Sequence, residues 1–187
     1  MPNPGSAARY GAVAKGFHWL IAALVATQFT LAWMADDLPL GMRKLALLAR
    51  HKSFGMTILI LAVLRLSWRL FHRPPDLPAH MPELERLVAR CAHVLFYAFL
   101  FAMPLTGWLM SSAKNFSVSW FGFFTWPDLI GPNERAFDLL KATHDTLSWL
   151  LLATAILHIL AALKHHFWDK DDVLLRMLPF IKSESRS

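Results

Sequence analysis

The sequence predicts an all-α membrane protein, a four-helix transmembrane bundle with both termini on the cytoplasmic side, folded as one domain over residues 1–187. Three observations predict it. The chain is 56% hydrophobic and 17% charged, above the roughly 45–50% apolar content of soluble domains. Its charges lie between four apolar stretches, each close to the roughly 20 residues that a helix needs to cross a bilayer core of about 30 Å. Its basic residues are distributed unevenly between the two sets of helix ends. Of the 19 Lys and Arg, 12 fall on the side of the termini (Arg9, Lys15, Arg65, Arg69, Arg73, Arg86, Arg90, Lys164, Lys170, Arg176, Lys182 and Arg186) and 7 on the other. By the positive-inside rule the first side is cytoplasmic.

The first span runs near Gly16 to Met34. Pro2, Pro4 and Gly5 precede it, and no small-residue cleavage site follows a short apolar core, so this segment reads as a retained helix and not a removable signal peptide. The second span runs near His51 to Leu70, with Arg65 and Arg69 at one end, where long side chains reach the headgroups. The third, from Cys91 to Ala113, holds no Asp, Glu, Lys or Arg, and carries Pro104, which removes one backbone donor and crowds the carbonyl of Leu100. The fourth runs from about Thr143 to Leu163, spans 143–163 being uncharged after Asp145. Gly131, Pro132, Asn133 and Glu134 read as a turn and N-cap, so this helix starts before its span. The connection between the third and fourth spans faces outward and carries Phe116, Trp120, Phe121, Phe123, Phe124 and Trp126, the pattern of a segment lying in the membrane interface.

Composition also excludes. Cys91 is the only cysteine, so neither an intramolecular disulfide nor an iron–sulfur cluster can be built. The formal charge of +6 comes from Lys and Arg flanking apolar segments and not from a stripe, which suits membrane lipid and not nucleic acid.

Histidine is the remaining supply of ligands, with nine in the chain. An ionisable group inside a span is a functional residue by default, because burying it unpartnered costs several kcal/mol. His18, His51, His93, His144 and His158 meet that test, while His72, His80, His165 and His166 fall at water-facing ends as solvated or headgroup-contacting side chains. His144 and His158 are fourteen residues apart, a rise of about 21 Å and about 40° short of four turns, so both project from one face at opposite depths. His51 lies level with His144 at the outer side, and His18 or His93 lies level with His158 at the inner side; depth does not choose between the last two. Two ligands per level suit the two axial positions of a haem iron, whereas structural zinc wants four. The alternative for any one of them is a buried histidine bonded to a backbone carbonyl. Ala22, Ala23, Gly55, Gly107, Ala155 and Ala162 are small enough to space helices around a porphyrin or simply to pack them.

Taken in order, Lys15, Phe17, His18 and Trp19, then His51, Lys52, Ser53, Phe54 and Gly55, then Pro104, Gly107 and Trp108, then His144 and His158, resemble the bacterial cytochrome b561 family from about Tyr10 to Phe180. The resemblance implies two haem b groups (iron), with His18 and His158 ligating the cytoplasmic-side haem, His51 and His144 the outer one, and His93 neither. It implies a multi-pass protein of the bacterial inner membrane that carries electrons to quinone, and an oxidoreductase of the superoxide:quinone kind. Two other readings stand beside it: an electron-transfer subunit for a separate dehydrogenase or hydrogenase, with a soluble redox partner, and a transporter that uses histidines as a proton relay. Propionates are anionic and need cations; Lys52 is expected to serve the outer haem and Lys15 or Arg69 the inner one. For superoxide, Lys52, Lys114, Arg135 and Lys141 are expected to form a cationic outer funnel, offset in part by Asp128, Glu134 and Asp138.

Overall fold

A computed structural model describes residues 9–72, 74–78 and 81–179. Arg73, His80, Phe180, Lys182 and Arg186, and the N-terminal Pro2, Pro4 and Gly5, lie outside the described residues. Four long helices, α1 (Ala12–Asp36), α2 (Met42–Phe71), α3 (Glu83–Ala113) and α4 (Glu134–Phe167), each contain a window apolar enough to cross a membrane. A two-stranded antiparallel hairpin, β1 (Val118–Trp120) and β2 (Phe124–Trp126), joins α3 to α4, and a short α5 (Val173–Met177) follows. The all-α bundle predicted from hydropathy is the fold observed.

Each helix is longer than the span it contains. The four have 25, 30, 31 and 34 residues, or about 38 to 51 Å at 1.5 Å per residue, against a hydrocarbon core of about 30 Å. The surplus lies at the ends, where the sequence turns polar: α2 starts before His51 with Arg43 and Lys44, and α3 starts before Cys91 with Glu83 and Glu85. Backbone hydrogen bonding continues past the apolar boundary because helix propensity does not stop there. At the start of α4 the expected cap is present, the Asn133 side chain accepting from the Ala136 amide at 2.9 Å. Hydroxyls within the spans donate to the carbonyl four residues back, as Thr27 does to Ala23 and Thr154 to Leu150. The proton of such a hydroxyl is then not left facing lipid.

The helices pack in chain order, α1 on α2, α2 on α3 and α3 on α4, whereas α1 and α4 do not pack along their lengths. The buried core sits on the first three: Ile21, Ile58, Ala62 and Leu100, walled by Leu24, Val25, Leu61 and Phe101. On α4 Leu151 is the one buried residue among those described, and Trp149, Leu157 and Ile159 are more than half exposed. Water would penalise such a helix heavily, while lipid does not.

Contacts at the ends settle which helix ends lie together. Lys15 Nζ donates to the Leu178 carbonyl at 3.0 Å and Trp19 Nε1 to that of Met177 at 2.9 Å. Lys164 Nζ lies 2.7 Å from Glu85 and 2.9 Å from Asp169. The start of α1, the start of α3 and the end of α4 therefore share one end, here called the terminal end. The aromatic connection at the other end is a hairpin, which periodicity had not disclosed. Ser53 Oγ on α2 accepts from the Phe121 amide and bonds the Ser119 carbonyl, both at 3.0 Å, and Trp120 Nε1 donates to Thr57 Oγ1 at 3.1 Å. Phe121 (φ 51°) and Gly122 (φ 81°) both turn in the left-handed region. Gly122 was the signal available in the sequence.

Candidate functional site

Four of the five intramembrane histidines form two ring pairs at opposite ends of the bundle. His51 and His144 have ring centres 6.3 Å apart with planes at 70°, and His18 and His158 have centres 6.4 Å apart at 61°. Two imidazoles on opposite faces of one metal ion, each bonded at about 2 Å, have ring centres roughly 6 Å apart. Both pairs meet that separation, across the side where α1 and α2 face α4 without close packing. Each pair supplies two ligands, which matches the axial demand of a haem and falls short of a four-ligand zinc site.

His93 is as close to His158 as His18 is, at 6.2 Å between ring centres and 66° between planes. The depth ambiguity seen in the sequence thus persists in three dimensions: the inner level holds three imidazoles, with His18 and His93 both beside His158. Phe96 meets His158 edge-on at 5.2 Å and fills the α3 side of the same ring.

At the outer level one glycine meets a histidine directly and another meets the Gln28 side chain. A Cβ on Gly107 would lie 3.3 Å from Cε1 and 3.6 Å from Nδ1 of His144, so the ring rests against the α3 backbone. A Cβ on Gly55, one turn after His51, would lie 3.1 Å from Nε2 of Gln28. At both positions a side chain would press its neighbour back by a few tenths of an ångström. Nδ1 of His51 and Oε1 of Gln28 are buried without a well-aligned hydrogen bond, the His51 ring facing the Gln28 backbone, while Nδ1 of His144 meets Thr106 Oγ1 at 3.0 Å with the Met103 backbone also facing that ring. The donors and the space fit a bis-histidine haem at this level. Sequence reasoning had not singled out Thr106 or Gln28, because neither stands out until the helices are rotated against one another.

The cations distribute as follows. Lys52 Nζ donates to the Phe116 carbonyl at 3.2 Å and lies over that ring at 5.6 Å, at the outer end beside His51. Lys15 is engaged by the Leu178 carbonyl. Arg65 and Arg69 both lie over the Tyr97 ring at 5.7 Å and line a cavity of about 490 Å³ at the terminal end, with Phe17, Trp68 and His72. Among the four funnel candidates, Lys114 is paired with Glu134 and Lys141 with Asp145 at 2.6 Å. Paired charges create little field beyond the pair, so Lys52 and Arg135 carry most of what remains.

His165 departs from the reading of a solvated histidine. Its side chain is only 12% exposed, and Nδ1 lies 2.7 Å from Asp171 and 3.1 Å from Asp169. The chain folds back after α4 and brings carboxylates to it, a tertiary event that span boundaries cannot show. Glu85, His165 and Asp169 approach one another closely enough to hold a small cation, but Lys164 bonds both carboxylates and offsets their charge. His72 stacks on Trp68 with centres 3.7 Å apart and is exposed, as expected for an interfacial side chain.

Comparison with known proteins gives one consistent result. The family model for prokaryotic cytochrome b561 matches residues 9–180. Cytochrome b561 homolog 2 of Escherichia coli (strain K12) is 37% identical over 172 residues, 91% of each chain. Probable superoxide oxidase CybB of Yersinia pestis is 32% identical over 176 residues, 91% of this chain and 96% of its own. Cytochrome b561 homolog 1 of Escherichia coli (strain K12) is 28% identical over 166 residues, 87% and 92% of the two chains.

Proposed function

Because the chain belongs to the prokaryotic cytochrome b561 family, membrane electron-transfer proteins that bind b-type haem, we propose that it holds two haems and carries electrons from an outer donor, superoxide, to membrane quinone. It is a multi-pass protein of the bacterial inner membrane. The observation that carries the proposal is the pair of ring separations, 6.3 and 6.4 Å, at two levels joined by α4. His51 and His144 hold the outer haem and His18 and His158 the inner one. His93, equally near His158, is left unligated in this reading, and the support for that choice is the family resemblance. His144 and His158 stand about 21 Å apart along α4, the rise of fourteen helical residues, and haems bound at these two levels would supply one-electron carriers.

The balance is two superoxide anions and one quinone, with two protons, giving two dioxygen and one quinol. The chain's own residues bind, orient and attract. Lys52 stands beside His51, its Nζ bonded to the Phe116 carbonyl and its charge only partly offset by Asp128, and serves the outer propionates or draws the anionic donor. Arg69, with Arg65, offers cations to the inner propionates from the wall of the terminal-end cavity. The Lys and Arg excess at the terminal end supports that end as cytoplasmic. The name of the Yersinia pestis relative supports superoxide as donor.

The test is a reduced-minus-oxidised spectrum with a haem-to-protein ratio. Wild type is expected to bind two haems per chain and His158→Ala about one, through loss of an axial ligand. Unchanged haem in His158→Ala overturns the pairing. Purified protein that superoxide reduces and quinone reoxidises supports the donor and acceptor; failure of that cycle with both haems present removes the catalytic part alone.

A further inference from the structure

We infer that Thr106 is the positioning residue that fixes the tautomer of His144 and, on the di-haem reading above, sets the outer haem to a lower potential than the imidazole alone would give. Thr106 Oγ1 lies 3.0 Å from His144 Nδ1, and also 2.7 Å from the Ala102 carbonyl and 3.0 Å from that of Met103. A hydroxyl has one proton, and carbonyl oxygens only accept. The shortest contact takes that proton to Ala102, the back-bond of a threonine inside a helix. Toward His144 the oxygen then has only a lone pair, so Nδ1 must carry hydrogen. Nε2 is left with the free lone pair that a metal requires.

Gly107 completes the device. The His144 ring rests on the α3 backbone there, within 3.3 Å of where a Cβ would stand, so α3 limits its rotation and tilt from the neighbouring residue. Pro104, buried one turn earlier, lies in the same stretch. The two ligands of the outer level are therefore unequal: His144 has the Thr106 hydroxyl as well as the α3 backbone at Met103 and Gly107, while His51 has no hydroxyl partner and faces only the Gln28 backbone.

An acceptor on Nδ1–H makes the imidazole a stronger electron donor, which favours the oxidised, more highly charged metal. Thr106 thus lowers the outer potential relative to the inner one, and electrons entering at the outer level move inward more readily. Loss of such a partner costs about 10- to 100-fold in metal-group affinity.

Thr106→Val keeps the shape and removes the oxygen; Thr106→Ser keeps the oxygen; Thr106→Ala serves if the valine form fails to assemble. Potentiometric titration and low-spin electron paramagnetic resonance of the full chain in detergent give the readout. In Thr106→Val one of the two titration steps is expected to move to higher potential, the other to stay, and the outer haem to transfer to apomyoglobin about 10- to 100-fold faster. Thr106→Ser is expected to restore both. A two-haem protein whose Thr106→Val and Thr106→Ala forms titrate as wild type, or whose Thr106→Ser form fails to recover, overturns the inference alone. A wild type without haem overturns the reading beneath it.

Discussion

Replacing Gly107 by alanine adds one methyl group against the ring of His144. The added carbon would stand 3.3 Å from Cε1 and 3.6 Å from Nδ1, where unstrained carbon contacts sit at about 3.5–4.0 Å. The ring must retreat by a few tenths of an ångström or tilt, and a tilt lengthens the 3.0 Å contact with Thr106. Overpacking of this kind costs about 1–3 kcal/mol. If the cost falls on the haem-bound state, where the ring is least free to move, retention of the outer haem weakens by roughly 5- to 150-fold. Haem transfer from purified Gly107→Ala to apomyoglobin measures it, with the haem-to-protein ratio reporting how many haems remain. Gly16→Ala is the control: it lies in α1 two residues before His18, and nothing stands within 4 Å of its Cβ position. The control is expected to keep both haems and to gain up to about 1 kcal/mol of helix propensity. Wild-type transfer kinetics in Gly107→Ala, or selective loss of the inner haem, would refute the reasoning.

Other perturbations probe separate links. Ser53→Ala strands the Phe121 amide at a cost of about 1–3 kcal/mol; amide exchange across residues 116–126 should accelerate with haem content unchanged, and equal exchange would show that the hairpin does not depend on this clamp. Asn133→Ala removes the α4 cap and should cost about 1 kcal/mol, read as a lower midpoint of thermal unfolding in detergent; an unchanged midpoint argues that hydrophobic packing alone sets the start of α4. Superoxide-driven reduction should slow as salt shortens the screening length from about 10 Å at 0.1 M to about 3 Å at 1 M. Lys52→Gln should lower the low-salt rate more than Lys141→Gln does, because Lys52 adjoins His51 and Lys141 is already paired with Asp145; rates indifferent to salt would remove electrostatic steering.

Much of the molecule was legible in the sequence, and for local reasons. Four spans follow from hydropathy, because transfer to lipid is additive along a helix. The opposed depths of His144 and His158 follow from the rise and pitch of one helix. The Asn133 cap follows from a turn followed by an acidic first residue, again within a few positions. Even the pairing of levels, His51 with His144 and His18 or His93 with His158, needed only the alternating direction of successive spans.

What only the tertiary structure decided concerns rotation and return of the chain. Which face α3 turns to α4 places Thr106 and Gly107 on His144, and no periodicity in either helix encodes that angle. The fold-back after α4 buries His165 among Asp169, Asp171 and Glu85, and the hairpin over Ser53 depends on contacts more than sixty residues apart. Such features rest on van der Waals and hydrogen-bond contacts between distant segments, whereas hydropathy and helical pitch act between neighbours. The sequence by itself put five histidines on the four apolar helices and sorted them into two levels. The tertiary structure decided what each ring touches, and at the inner level it set His18 and His93 equally close to His158, because α1 and α3 each bring an imidazole to that ring of α4.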